Sequence, residues 1–347
     1  MAQVKELQLR VIYDPEWDKR GLAKVDLVLL HGFGGDFIDT WTFKDANSRV
    51  FWPKDLLPGE QDQPPTRVLS FGYDAGELVV ASIGVYAQAM LAYLRTKRVG
   101  IEKRPIIFLG HCLGGLIVKQ AMRFSENDEV YKSIISATKL IMFFGTPHGG
   151  GNKKDWKKLA KSYKGLGRRC RMIDILGRRT KDLEELDEDF IRLQERFMIV
   201  NFLEQQNMPG AKKPIVGSMC GVKFSRHPSI PVDGNHITMC QFKNTESNAF
   251  TSVCGLINEA VTVTQQITII RRTVINGPTH TGIETFREAT AAQVIELPDP
   301  QALREYRVVR PTANQKLLKP AHPEGLVWRE SRDMSLETVA TRQQNAR

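Results

Sequence analysis

Three residue types in one order along the chain carry the chemistry: a thiol at Cys112, a carboxylate at Glu204 and an imidazole at His236. Covalent acyl transfer needs a nucleophile, a base beside it, an acid that orients the base, and donors for the oxyanion. Nucleophile, acid, histidine is the order in which one sheet-based scaffold supplies them. Cys112 sits in Gly110-His111-Cys112-Leu113-Gly114, a sulfur variant of G-x-S-x-G. That motif belongs on a sharp turn from a strand into a helix, which lifts one side chain above a sheet. Glu204 follows the apolar run Phe197–Leu203, at the kind of strand end where catalytic residues of open sheets gather. His236 lies in the polar stretch Asp233-Gly234-Asn235-His236, before the last helical pattern.

The oxyanion donors expected are the backbone N–H groups of Phe33 and Leu113, with Gly32 beside Phe33. Leu113 directly follows the nucleophile. Gly32 and Phe33 belong to His31-Gly32-Phe33-Gly34-Gly35, whose glycines let amides turn inward after a strand. Three further residues stand near the candidate site. Asp233 could orient His236 in place of Glu204, or simply turn its loop. His111 reads as a packing residue of the elbow. His148, in Thr146-Pro147-His148, reads as a structural hydrogen-bonding group at a strand end.

The elements that must hold these residues follow from periodicity. Leu7–Tyr13 alternates and predicts a leading strand. Val25–Leu30, Arg67–Tyr73, Ile106–Leu109, Lys139–Gly145 and Phe197–Leu203 are apolar runs of buried-strand length, and Pro214–Met219 predicts one more. Helical spacing of Val79, Val80, Ile83, Ala87, Met90 and Leu94 predicts an amphipathic helix over 77–98, and Leu116, Ile117, Val118 and Met122 carry another after the elbow. Strands alternating with helices predict an α/β architecture, a mostly parallel sheet covered on both faces. Trp41 and Trp52 are expected to pack a polar insert onto the core. The segment 150–196 predicts a helical cap inserted between two core strands. The loop containing His227, Pro228 and Pro231 leads to His236, and 247–260 predicts the closing helix. The main domain is expected to run over 1–262 and a largely flexible extension over 263–347, in which Val263–Ile275 reads as a strand or as a continuation of the closing helix.

Composition narrows the setting. The chain has 347 residues, 41% hydrophobic and 25% charged, ample for one large core. No run of eighteen apolar residues and no N-terminal apolar leader is visible. The five cysteines, Cys112, Cys170, Cys220, Cys240 and Cys254, are odd in number and form no C-x-x-C pair, which predicts a reducing cytoplasmic compartment and no metal site. No cofactor is expected. The formal charge of +10 is concentrated: residues 151–181 hold twelve Lys and Arg against Asp155 and Asp174. This is either a solvated helical face or a contact for an anionic membrane surface, which would make the protein peripheral on an intracellular membrane. Nucleic acid is not expected, because no recognition module accompanies the basic run. Oligomeric state is left open.

The motifs HGFGG, TWTFKD, FWPKDLLP, SFGYDAG, GHCLGGLIVKQA, FFGTPHGG, VNFLEQ and NHITMCQF, spread over residues 25–260, resemble the lipase-like α/β hydrolases with a serine active site. That family includes mitochondria-associated serine-active-site proteins and the hydrolase-like N-terminal domains of fungal NACHT or NB-ARC receptors. The resemblance implies an α/β-hydrolase fold, His236 as base, Glu204 as acid, Gly32–Phe33 in the oxyanion hole, and an acyl-ester or lipid substrate, or an effector role. The departure is Cys112, where the family has serine. Two readings follow: a hydrolase working on an ester or thioester through Cys112, or a catalytically weak effector module that binds a membrane or partner through its basic cap.

Overall fold

The computed structural model describes residues 7–74, 81–148, 157, 181–216 and 228–276. Seven strands form one sheet in the order β1-β5-β2-β6-β7-β8-β9. They are β1 (Gln8–Tyr13), β2 (Val25–Leu30), β5 (Thr66–Gly72), β6 (Ile106–His111), β7 (Thr138–Phe144), β8 (Met198–Glu204) and β9 (Ser229–Val232). β1 pairs antiparallel with β5, and every other pairing is parallel. A separate hairpin joins β3 (Thr42–Lys44) to β4 (Arg49–Phe51).

β2 explains why the sheet is sandwiched. All six of its residues are buried, and they alternate between two cores. Val28 and Leu30 join Phe71, Phe108 and the helices α2 (Ala81–Thr96) and α3 (Leu113–Asn127) on one side. Val25, Leu27 and Leu29 join Trp41, Trp52 and α6 (Asn248–Asn276) on the other. Both tryptophans are fully buried, so the insert carrying β3, β4 and the short α1 (Trp52–Asp55) is stapled to the core as expected. The chain runs from β2 to β5 on one side and later to β6 on the other. This reversal falls between β2 and β6, and beyond the carboxyl ends of strands at such a point open α/β sheets bind ligands.

Charges buried away from that edge are paired. Asp26, fully buried in β2, accepts from Arg67 Nε at 2.8 Å and Arg104 at 3.3 Å, and also from Arg98. After α3 the chain forms α4 (Lys132–Ala137) and enters β7. α5 (Lys181–Leu193) lies against α3 through a buried Lys119–Asp187 pair, Arg123–Asp189 at 2.8 Å, and Leu183, Leu186 and Phe190 in the first core.

Two differences from the sequence reading stand out. Pro214–Val216 forms bends and no strand, and 217–227, which include His227 and the rest of the expected PIVGSM strand, lie outside the described residues. Among the described residues the outermost strand on that side is β9, in the stretch read above as loop with Pro228 and Pro231. An outer strand tolerates proline where its missing N–H faces away from the sheet. α6 continues through Asn276, so of the two readings left open for Val263–Ile275 the helix continuation is the one seen. An established helix adds each residue at little cost, and β-branched residues lower helix propensity only slightly. The basic run 151–181 lies outside the described residues except Lys157 and Lys181, as do 277–347; of the expected cap, 181–196 is seen as α5 and the short turn Gln194–Arg196 that follows it.

Candidate active site

Cys112 stands where the elbow was expected, between β6 and α3. Its backbone is at φ 51°, ψ −116°, a conformation that a residue with a Cβ adopts only under strain. Close packing holds it there. The Cys112 N–H donates to the Phe144 carbonyl at 2.8 Å, tying the turn to β7. A Cβ on Gly114 would lie 2.2 Å from the Leu30 carbonyl oxygen, so only glycine lets α3 start this close to β2. Similarly, a Cβ on Gly32 would lie 2.6 Å from the Cβ of Cys112, so the turn after β2 abuts the nucleophile position.

His236 reaches the same point from the other side. Asn235 Oδ1 accepts the N–H groups of Ile237 and Thr238 at 3.0 and 3.1 Å, forming a short turn that presents the imidazole inward. Its Nδ1–H donates to Glu204 Oε2 at 2.7 Å. The other carboxylate oxygen accepts the Val216 N–H at 2.6 Å, so both oxygens of this buried acid are bonded. The three groups are almost wholly enclosed: Cys112 is 1% exposed, His236 0% and Glu204 4%. Burial alone would disfavour an imidazolium. The Glu204 carboxylate, and after it Cys112 as charge and hydrogen-bond partner, outweigh burial and push the His236 pKa up to about 10.

The remaining candidates have definite partners. His111 Nε2–H donates to the backbone carbonyl of His236 at 2.8 Å. Burial, then the charge on His236, holds its pKa well below the ordinary imidazole value, so this ring is neutral. His148 Nε2 meets Asn201 Oδ1 at 3.2 Å and its ring stands edge-on to Phe143. The Asp233 side chain accepts from Gln206 Nε2 at 2.7 Å, whereas the acid at His236 Nδ1 is Glu204. Leu113 is the first residue of α3, and Phe33 is buried in the turn after β2.

Two positioning elements had no signal in the sequence beyond an aromatic at a strand end. Tyr73 stacks on His31 with ring centroids 4.1 Å apart, its N–H donates to His31 Nε2 at 3.3 Å, and its hydroxyl donates to the His31 carbonyl. His31 Nδ1–H in turn donates to the Gly32 carbonyl at 3.0 Å, so the candidate oxyanion turn is braced from beneath. The second element is the Val216 amide on Glu204. Cys240 is buried nearby. Burial, then charge at Cys112 and Glu204, raises its pKa well above the usual thiol value. Burial, then Glu60, pushes Cys254 up to about 12. Among the described residues no group of three or more His, Cys, Asp or Glu is arranged to hold a metal ion, and no helix is long and apolar enough to cross a membrane.

A mostly parallel seven-stranded sheet with helices on both faces and a strained strand-to-helix elbow at its carboxyl edge defines the class as an α/β-hydrolase fold. The chain is homologous to Protein SERAC1. It is 24% identical to the human protein over 281 residues, covering 72% of this chain and 41% of that one. The zebrafish protein is 25% identical over 279 residues, again 72% and 41%. The chain thus spans about two fifths of the length of the curated relatives it matches. No protein-family profile matches. Similar solved structures include a lipase-esterase related protein from Clostridium acetobutylicum (10% identity, TM-score 0.45, 73% of this chain and 99% of that one). Another is the Bacillus licheniformis lipase BlEst2 (13%, TM-score 0.44, 73% and 98%).

Proposed function

We propose that the chain is an acyl hydrolase acting on an ester or thioester through an acyl-enzyme on Cys112. Cys112 attacks the carbonyl, His236 moves the proton, and Glu204 orients His236 and balances its charge. The backbone N–H groups of Phe33 and Leu113 receive the oxyanion, with Leu113 favoured further by its place at the positive end of α3. The observation that carries this reading is the buried Glu204–His236 hydrogen bond at 2.7 Å, with Cys112 as the second charge partner of the same imidazole. A relic site has no reason to keep a buried carboxylate bonded on both oxygens, since such a group is costly to desolvate.

In the first half-reaction the imidazolium protonates the departing group. In the second, the now neutral His236 takes a proton from water as it attacks the acyl-Cys112. The test is a stopped-flow burst with a p-nitrophenyl ester, together with intact-mass analysis. The full chain is expected to release one equivalent of p-nitrophenolate rapidly and gain one acyl group, and Cys112→Ala neither. A burst that survives in Cys112→Ala, or no acylation of the full chain by ester or thioester, overturns the reading.

A further inference from the structure

We infer that Cys112 makes this site selective for thioesters over oxyesters of the same acyl group, an inference that rests on the covalent reading above. The argument is about which atom leaves. When Cys112 adds to an oxyester, the tetrahedral intermediate carries the Cys112 sulfur and an alkoxy oxygen. Thiols ionise near pKa 8.5, whereas alkoxy leaving groups, unlike an activated phenolate, resemble water, near 15.7. Collapse therefore expels the sulfur just added and regenerates substrate, unless the oxygen is protonated in the same instant. On a thioester the two leaving atoms are both sulfur and forward collapse competes equally. With serine at the same position the balance is different: the attacking oxygen and an ester oxygen are matched, and selectivity for sulfur loses its source.

The surroundings sharpen the choice. Cys112, His236 and Glu204 are 1%, 0% and 4% exposed, so no bulk water is at hand to solvate a departing alkoxide. A thiolate is larger and its charge more diffuse. The imidazole is fixed by Glu204 at Nδ1 and by the contact of His111 with its backbone carbonyl, so it offers one proton from one place to an oxygen or a sulfur leaving atom alike, and the choice falls to leaving-group stability.

The step balances. The Cys112 thiolate forms a C–S bond and the carbonyl electrons move to oxygen. The oxyanion collapses, the C–S bond to the leaving group breaks, and the departing thiolate takes the His236 proton and leaves as a thiol. Acyl-Cys112 and neutral His236 remain. A water then gives its proton to His236 as it attacks, the acid is released, and Cys112 and His236 return to their starting state.

The experiment uses the full chain with two probes that differ in one atom: the octanoyl thioester of N-acetylcysteamine and the octanoate ester of N-acetylethanolamine. The ratio of kcat/KM for thioester over oxyester is expected to be at least about 100-fold higher in this chain than in Cys112→Ser, a difference of two tenfold steps in relative barrier. Equal ratios in the two proteins, or faster oxyester turnover by this chain, overturn the selectivity and leave the covalent reading standing. Octanoyl-Cys112 trapped on the unaltered chain and identified by peptide mass supports the inference if it forms from the thioester alone, whatever the fate of the serine variant. Absence of the adduct from both probes overturns the covalent reading as well.

Discussion

His111 and His236 are joined through the backbone of one and the ring of the other: the Nε2–H of His111 donates to the carbonyl of His236 across 125 positions of sequence. His111, next to Cys112, thus sets where the loop carrying His236 sits. Removing the ring in His111→Ala frees that loop, and a misplacement of about 1 Å is expected to lower the rate of Cys112 acylation on the order of 100-fold. His111→Gln, which keeps an N–H donor, is expected to recover much of it. Single-turnover acylation, with circular dichroism as a check on folding, separates this positioning role from a general loss of structure.

Glu204→Gln keeps an acceptor for the Val216 amide but removes the charge that sustains the imidazolium. The expected result is a fall in kcat of roughly 10³–10⁴-fold, the scale on which an orienting acid matters. The accompanying change would be a drop in the His236 pKa toward or below its ordinary value. An NMR titration of the imidazole reads the second effect directly, and an unchanged titration would contradict the assignment of Glu204.

Stability should follow pH through the same imidazole. The groups facing it are Glu204 from β8 and Cys112 and His111 from the elbow. Its folded pKa, about 10, lies above the ordinary 6.5, so the folded chain holds a proton that the unfolded chain releases. The stabilisation is fully present below about pH 6.5 and is lost as pH rises through about 10, with a slope approaching roughly 1.4 kcal/mol per pH unit. Urea unfolding between pH 6 and pH 10 is expected to show that decline in this chain and a shallower one in His236→Gln.

The buried Lys119–Asp187 pair fastens α5 to α3. Lys119 is desolvated, which lowers its pKa, and Asp187 opposes that shift. Removing one partner leaves a buried charge alone. Lys119→Met and Asp187→Leu are each expected to cost about 3–5 kcal/mol, and the double variant much less than their sum. Chemical unfolding of the four proteins measures the coupling.

Thiol chemistry offers a further check. Cys240 and Cys254 are held as neutral thiols by burial and nearby negative charge. Iodoacetamide at pH 7 should therefore leave both largely untouched while labelling Cys112 at a rate that falls in His236→Gln. Peptide mapping by mass reads all three sites. Labelling of Cys240 or Cys254 as fast as Cys112 would count against a specially reactive sulfur.

Much of this candidate site was legible because its parts are local. The elbow is carried by glycines within five residues of Cys112, each required by a contact, and Glu204 is found by counting to the end of an apolar run. His236 was legible only through chain order. What could not be read depends on approach through space. The Val216 amide serves Glu204 from a stretch whose apolar residues look like a strand, and the arginines around Asp26 come from three separate segments. Val263–Ile275 was ambiguous because its β-branched residues suit a strand alone but continue a helix already begun.

The proline in the outermost strand has a consequence for the molecule among its own kind. Val232 turns its carbonyl inward, where Gln205 donates to it, so the neighbouring Pro231 directs its backbone outward and offers no N–H there. A strand from a second copy would find a gap in the ladder at that position. Among the described residues, the border of the sheet at β9 is thereby blunted against edge-to-edge polymerisation, a safeguard built from one imino acid.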